Sequence, residues 1–108
     1  MKNYTVEYSK RVFEKIKDLI NYISSINTLE SGMRYVDSLY DEINTLSYRA
    51  DTIPELIWDT CYFYHINEKR LLVKHGKITV FFHVKNNKVI IDDIVPSKLI
   101  THKSDFTP

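Results

Sequence analysis

Cysteine is nearly absent from this 108-residue chain. Cys61 stands alone, so no intramolecular disulfide can form and a secreted, disulfide-stapled scaffold is excluded. A reducing cytoplasm is the expected home. Glycine is almost as scarce: Gly32 and Gly76 are the only two, which leaves no glycine-rich loop to cradle a nucleotide phosphate, and no cofactor is indicated. Long apolar runs are missing as well. None approaches the roughly 20 residues needed to span a bilayer, and the opening MKNYTVEYSKR lacks the apolar core of an export signal. Internal repeats, low-complexity tracts and zinc-type Cys/His spacing are likewise not found.

What is present is the composition of a folded globule, with 44% hydrophobic and 27% charged residues. A chain of this length has room for one hydrophobic core, so residues 1–108 are read as a single domain. The net charge of +1 conceals an asymmetry. Residues 1–68 carry seven Lys/Arg against eleven Asp/Glu, and residues 69–108 carry eight against three. Such a division lets a nearly neutral protein turn a basic face toward polyphosphate, although ordinary scatter of surface charge gives the same count.

Tyr4 to Tyr8 alternates apolar and polar residues with the period of a half-buried strand. From Lys10 to Ser24, Val12, Phe13, Ile16, Leu19, Ile20 and Ile23 recur at helical spacing, with Ser9 as the expected cap. Asn27 followed by Glu30 has the form of a capping box opening a second helix that runs to about Tyr48. Its apolar stripe is Met33, Val36, Tyr40, Ile43 and Leu46, broadened by Leu39. Two amphipathic helices joined by a few residues pack as an antiparallel hairpin, and their apolar faces need a sheet to lie on.

Residues 49–68 resist assignment: Pro54 marks a loop, and IWDTCYFYHI is aromatic without clean alternation. Trp58, Tyr62, Phe63 and Tyr64 are read as core or partner-interface groups. A meander follows, with Arg70 to Lys74, Ile78 to Val84 and Lys88 to Val95 as strands and His75-Gly76-Lys77 and Asn86-Asn87 as turns. In the middle strand Ile78, Val80, Phe82 and Val84 share one face. Thr79, Phe81 and His83 share the other, which sets His83 within reach of solvent or a site.

The order strand, two helices, three-strand meander and polar tail resembles the RelE/ParE superfamily of bacterial toxins. ITVFFHV, Ile78 to Val84, is similar to the family's middle-strand pattern Y-x-x-F-Y-R-V, and Arg70-Leu71-Leu72-Val73-Lys74 to its basic R-x-L-V-K strand. TVEYSKRVFEKIKDLINYI resembles its opening strand and first helix. The resemblance implies an α+β domain in which an antiparallel sheet, the N-terminal strand plus the meander, packs against the helical hairpin. Three departures stand out. His83 replaces the family arginine, Phe82 its tyrosine, and the Arg-rich segment after the last strand is reduced to Ser97-Lys98.

What the resemblance implies for function is the toxin of a type II toxin-antitoxin system, with a small antitoxin as its partner. On the preferred reading it is a metal-independent endoribonuclease (mRNA interferase) that cuts messenger RNA on the ribosome and so inhibits translation. Such chemistry needs a base for the ribose 2′-hydroxyl, a cation for the phosphorane and an acid for the leaving oxygen. His83, Arg70 and His102 are the catalytic candidates, His102 because Thr-His-Lys-Ser-Asp-Phe resembles a T-H-x-x-x-F tail of some ribosome-dependent toxins. Lys74, His75, Lys77 and Lys98 are candidates for holding RNA phosphates. Each also has a plainer role, His83 as the satisfied partner of Asp92 or Asp93, and the lysines as solvated edge charges. The alternatives are a non-enzymatic, ParE-like inhibitor of DNA gyrase, or a degenerate member that binds only antitoxin.

Overall fold

The structure is a computed structural model that describes residues 3–55 and 64–100. Strand β1 (Thr5–Tyr8) leads into helix α1 (Lys10–Ile26), helix α2 (Leu29–Asn44) and the single-turn α3 (Leu46–Arg49). Strands β2 (Lys69–Val73), β3 (Ile78–Lys85) and β4 (Lys88–Pro96) follow, and a short 3-10 turn, Ser97–Leu99, comes after them. No helix among the described residues is long and apolar enough to cross a membrane.

Each boundary has a local cause. Ser9 is extended and its Oγ accepts the N–H of Val12, which starts α1 as expected. The second cap differs from the expected one. Thr28, not Asn27, is extended there and accepts the N–H of Ser31 at 3.0 Å, while Asn27 closes α1 by donating to the carbonyl of Ile23. With one residue serving the end of α1 and the next the start of α2, the hairpin turn is very tight. Gly32 is buried where the helices meet, and a Cβ built on it would lie 2.9 Å from the Ile20 carbonyl oxygen.

The strand order is β1-β4-β3-β2. β2, β3 and β4 pair antiparallel, but β1 lies parallel to β4 with Thr5 opposite Lys88 and Tyr8 opposite Ile91, so the sheet is mixed rather than wholly antiparallel. The long connection between β1 and β4 leaves the sense of pairing free. The parallel sense carries the chain from the end of β1 straight into α1, and Ser9 secures that corner by donating its N–H to the Ile91 carbonyl and its Oγ–H to that of Asp92.

The helices cover one face of the sheet. Val12 and Ile16 of α1, Val36, Leu39 and Ile43 of α2, and Leu46 bury themselves against Leu71, Val73, Val80, Phe82, Val89, Ile91 and Ile94. At about 25 cal/mol per Å² of apolar surface, this layer is the main favourable term in folding. Some residues of the expected stripes stay outside it, Phe13 and Met33 most clearly. Phe13 and Met33 are 55% and 53% exposed. α2 turns Gly32 and Val36 inward, which rotates Met33 to the outer side of the hairpin. Phe13 instead meets the Tyr8 ring, centroids 5.9 Å apart.

The β2–β3 turn begins one residue earlier than expected. Lys74, His75 and Gly76 all have positive φ, at 53°, 59° and 81°. Two non-glycine residues in the left-handed region are costly, and Glu42 offsets this by accepting the Lys74 N–H on both carboxylate oxygens at 3.2 Å. Asn86 supplies the positive φ of the β3–β4 hairpin, as its type favours.

Candidate active site on the outer sheet face

The face of the sheet away from the helices carries Arg70 on β2, Phe81 and His83 on β3, and a bulge on β4. Phe81 pairs with Asp93 and Phe82 with Ile91, so Asp92 is the extra residue of the bulge. A bulge re-aims the side chain it contains. Asp92 Oδ2 comes to 2.7 Å from His83 Nδ1. A carboxylate oxygen can only accept, so Nδ1 carries a proton and donates it to Asp92, which leaves Nε2 as the ring nitrogen that can take up or give a proton.

The remaining groups pack around that pair. Arg70 lies opposite Phe81 in the register and its guanidinium sits 4.8 Å from the centre of that ring. Tyr64 meets the same ring edge-on at 5.4 Å and donates its hydroxyl to Asp93. Asp93 is also bound by Lys15, at 2.7 Å, and caps the N–H of Ile94. Burial and the bond to Asp93 push the Tyr64 phenol up to about 12. Arg11 stacks over Tyr64 at 4.9 Å. Glu68, one register step beyond the Lys69–Phe82 pair and therefore across from His83, is fully buried and accepts the N–H of Tyr64 at 3.1 Å. His65 stacks on the His83 ring, and the His83 side chain is left only 11% exposed.

Of the residues singled out in the sequence, the structure therefore brings together His83 and Arg70. It places Lys74, His75, Lys77 and Lys98 elsewhere. Lys74 turns to the helix side, its ammonium 2.9 Å from Ser38 Oγ and 4.3 Å from the centre of the Tyr35 ring. His75 and Lys77 are exposed in the β2–β3 turn, and Lys98 is exposed in the 3-10 turn joined to it by the Ser97 N–H to Lys77 carbonyl bond. That end of β3 is about 16 Å from His83, at roughly 3.3 Å per residue. His102, Trp58, Tyr62 and Phe63 lie outside the described residues. Among the described residues, no three His, Cys, Asp or Glu side chains are grouped to hold a metal ion.

Phe82 faces the helices and is fully buried. The hydroxyl missing at that position is thus absent from the core side, not from the face that carries His83. Sequence reading gave Tyr64 only a core or interface role and missed His65 and Glu68, because the segment before β2 has no periodicity to assign it a face. The pairing of His83 with an aspartate was foreseeable. That Asp92 and not Asp93 supplies the partner follows from the bulge.

No protein-family model matches the sequence, and no characterised protein matches it either. A solved structure does: a chain of the chromosomal ParDE toxin-antitoxin system from P. aeruginosa superimposes with a TM-score of 0.70 over 86% of this chain and 95% of that one. This is a ParE-like fold. With 11% identity, the likeness is one of architecture. It agrees with the RelE/ParE resemblance of the strand, hairpin and meander order. The ParE-like sheet of this chain thus carries on its outer face a histidine-carboxylate pair flanked by a guanidinium.

Proposed function

We propose that the protein is the toxin of a type II toxin-antitoxin system and that its outer sheet face cleaves messenger RNA on the ribosome without a metal ion. The observation that carries this reading is the 2.7 Å bond between His83 Nδ1 and Asp92. A carboxylate at Nδ1 orients an imidazole and stabilises it once protonated, which is what a base for a ribose 2′-hydroxyl requires. His83 Nε2 takes that proton. Arg70, two register positions away on the neighbouring strand, supplies the bidentate cation for the phosphorane. His102 is the proposed acid for the leaving oxygen. The antitoxin is the proposed protein partner and the cytoplasm the proposed compartment.

A second reading is favoured by the cover over His83. With 11% of its side chain exposed beneath His65, the histidine also fits a satisfied structural partner of Asp92, in a protein that inhibits gyrase or only binds antitoxin. Primer-extension mapping of a messenger RNA in a purified bacterial translation system separates the two. Discrete, ribosome-dependent cuts that vanish with His83→Ala support the nuclease. Intact RNA alongside inhibited DNA supercoiling supports the gyrase reading, and neither effect supports a non-toxic antitoxin binder.

A further inference from the structure

The bond to Asp92 sets the direction of His83 Nδ1, but one hydrogen bond tolerates a range of distances and angles and so leaves the imidazole some play about χ1 and χ2. A second contact narrows that play. His65 lies across the whole face of His83, ring centroids 3.9 Å apart and planes within 3° of parallel. Its own placement is determined by backbone bonds. Its Nδ1 accepts the N–H of Asn67 at 3.0 Å and its carbonyl accepts that of Glu68 at 3.2 Å. The next side chain, Ile66, is 72% exposed, so burial of apolar surface at that position does not seat the turn on the sheet. Among the contacts that seat it are two ring contacts, Tyr64 on Phe81 and His65 on His83, the Arg11 guanidinium over Tyr64, and the Tyr64 hydroxyl donating to Asp93.

The hydrogen-bond roles of the two imidazoles are complementary. His65 Nδ1 is an acceptor, so in this geometry His65 is neutral, whereas His83 Nδ1 is the donor to Asp92. A neutral π-face can lie against His83 whether or not His83 is protonated.

We propose that His65 is a positioning residue for His83: its ring holds the His83 imidazole in the plane that keeps Nδ1 on Asp92 and Nε2 directed at the substrate. The inference rests on the reading of His83 as the acid-base group, and what it requires at position 65 is a flat ring. Imidazole proton and nitrogen NMR spectra of the full chain, compared with those of His65→Ala and His65→Phe, test it directly. The His83 Nδ1–H resonance is expected to be protected from exchange with water in the wild type and in His65→Phe, and to broaden or vanish in His65→Ala. In the ribosome-dependent cleavage assay, His65→Ala is expected to lower kcat by about 10²-fold, the scale of a slightly misplaced catalytic group, with KM little changed. His65→Phe is expected to restore most of it. A His83 resonance in His65→Ala with wild-type protection overturns the proposal, and so does a His65→Phe protein no better than His65→Ala in the spectra. Absence of cleavage by the wild type would instead remove the nuclease reading, and the spectra would still decide whether His65 positions His83.

Discussion

Replacing Gly32 with alanine tests the helical hairpin that shapes the domain. The substitution has two opposed effects. In a helix interior alanine is favoured over glycine by about 1 kcal/mol. Against this, the new Cβ would stand 2.9 Å from the Ile20 carbonyl oxygen and 2.9 Å from Ser24 Oγ, closer than a carbon and an oxygen pack. The serine can rotate, but the carbonyl is part of α1, so the helices must separate. Overpacking of this kind costs about 1–3 kcal/mol, and here two contacts are violated at once, so the net loss is about 1–2 kcal/mol. For a domain of this size that is a Tm lower by roughly 5–10 °C, readable by circular dichroism at 222 nm. Ser24→Ala provides the control. Ser24 Oγ is buried without a hydrogen-bond partner, so its removal alone is neutral or mildly stabilising. In the double variant it relieves one of the two contacts, and the combined effect is smaller than the sum of the singles. A Gly32→Ala protein more stable than the wild type, or strict additivity in the double variant, would refute the close approach of α1 and α2 at this point.

Two further outcomes follow from the sheet. Phe82→Ala empties a fully buried site between the sheet and the helices and is expected to cost about 3–5 kcal/mol, a large part of a small domain's stability, by urea denaturation. Tyr64 titrates near 12 in the folded protein, against 10.0 for a free phenol. Its folded pKa is the higher, so the unfolded chain loses this proton first and stability falls as pH rises from about 10 to about 12, with none of this loss below pH 10. Tyr64→Phe is expected to flatten that part of the stability curve, and an identical slope in both proteins would exclude the buried bond to Asp93.

Much of the architecture was legible because its signals are local. Alternation placed Phe81 and His83 on one face of β3 and Phe82 on the other, and turn chemistry placed Asn86 in the hairpin. The helical stripes were read correctly at Val12, Ile16, Val36, Leu39 and Ile43. They failed at Phe13 and Met33, because which residues of a broad stripe reach the core depends on how two helices cross, and Gly32 sets that crossing. The direction of β1 was not legible, since a long connection permits either sense. The site was half visible. His83 and Arg70 could be found on strands, but a bulge aims Asp92, and Tyr64, His65 and Glu68 come from a segment without period. Lys74 looked like a phosphate ligand in the strand pattern, yet the positive φ that starts the turn sends its side chain to Ser38 and Tyr35.

The single-turnover rate of messenger RNA cleavage on programmed ribosomes, measured for the wild type and for His83→Ala, bears most directly on the proposed chemistry. Removal of a general acid-base group lowers such a rate by about 10²–10⁴-fold, and a loss of that size with an unchanged circular dichroism spectrum is the expected result. Cleavage by His83→Ala at the wild-type rate would contradict the role assigned to the His83–Asp92 pair.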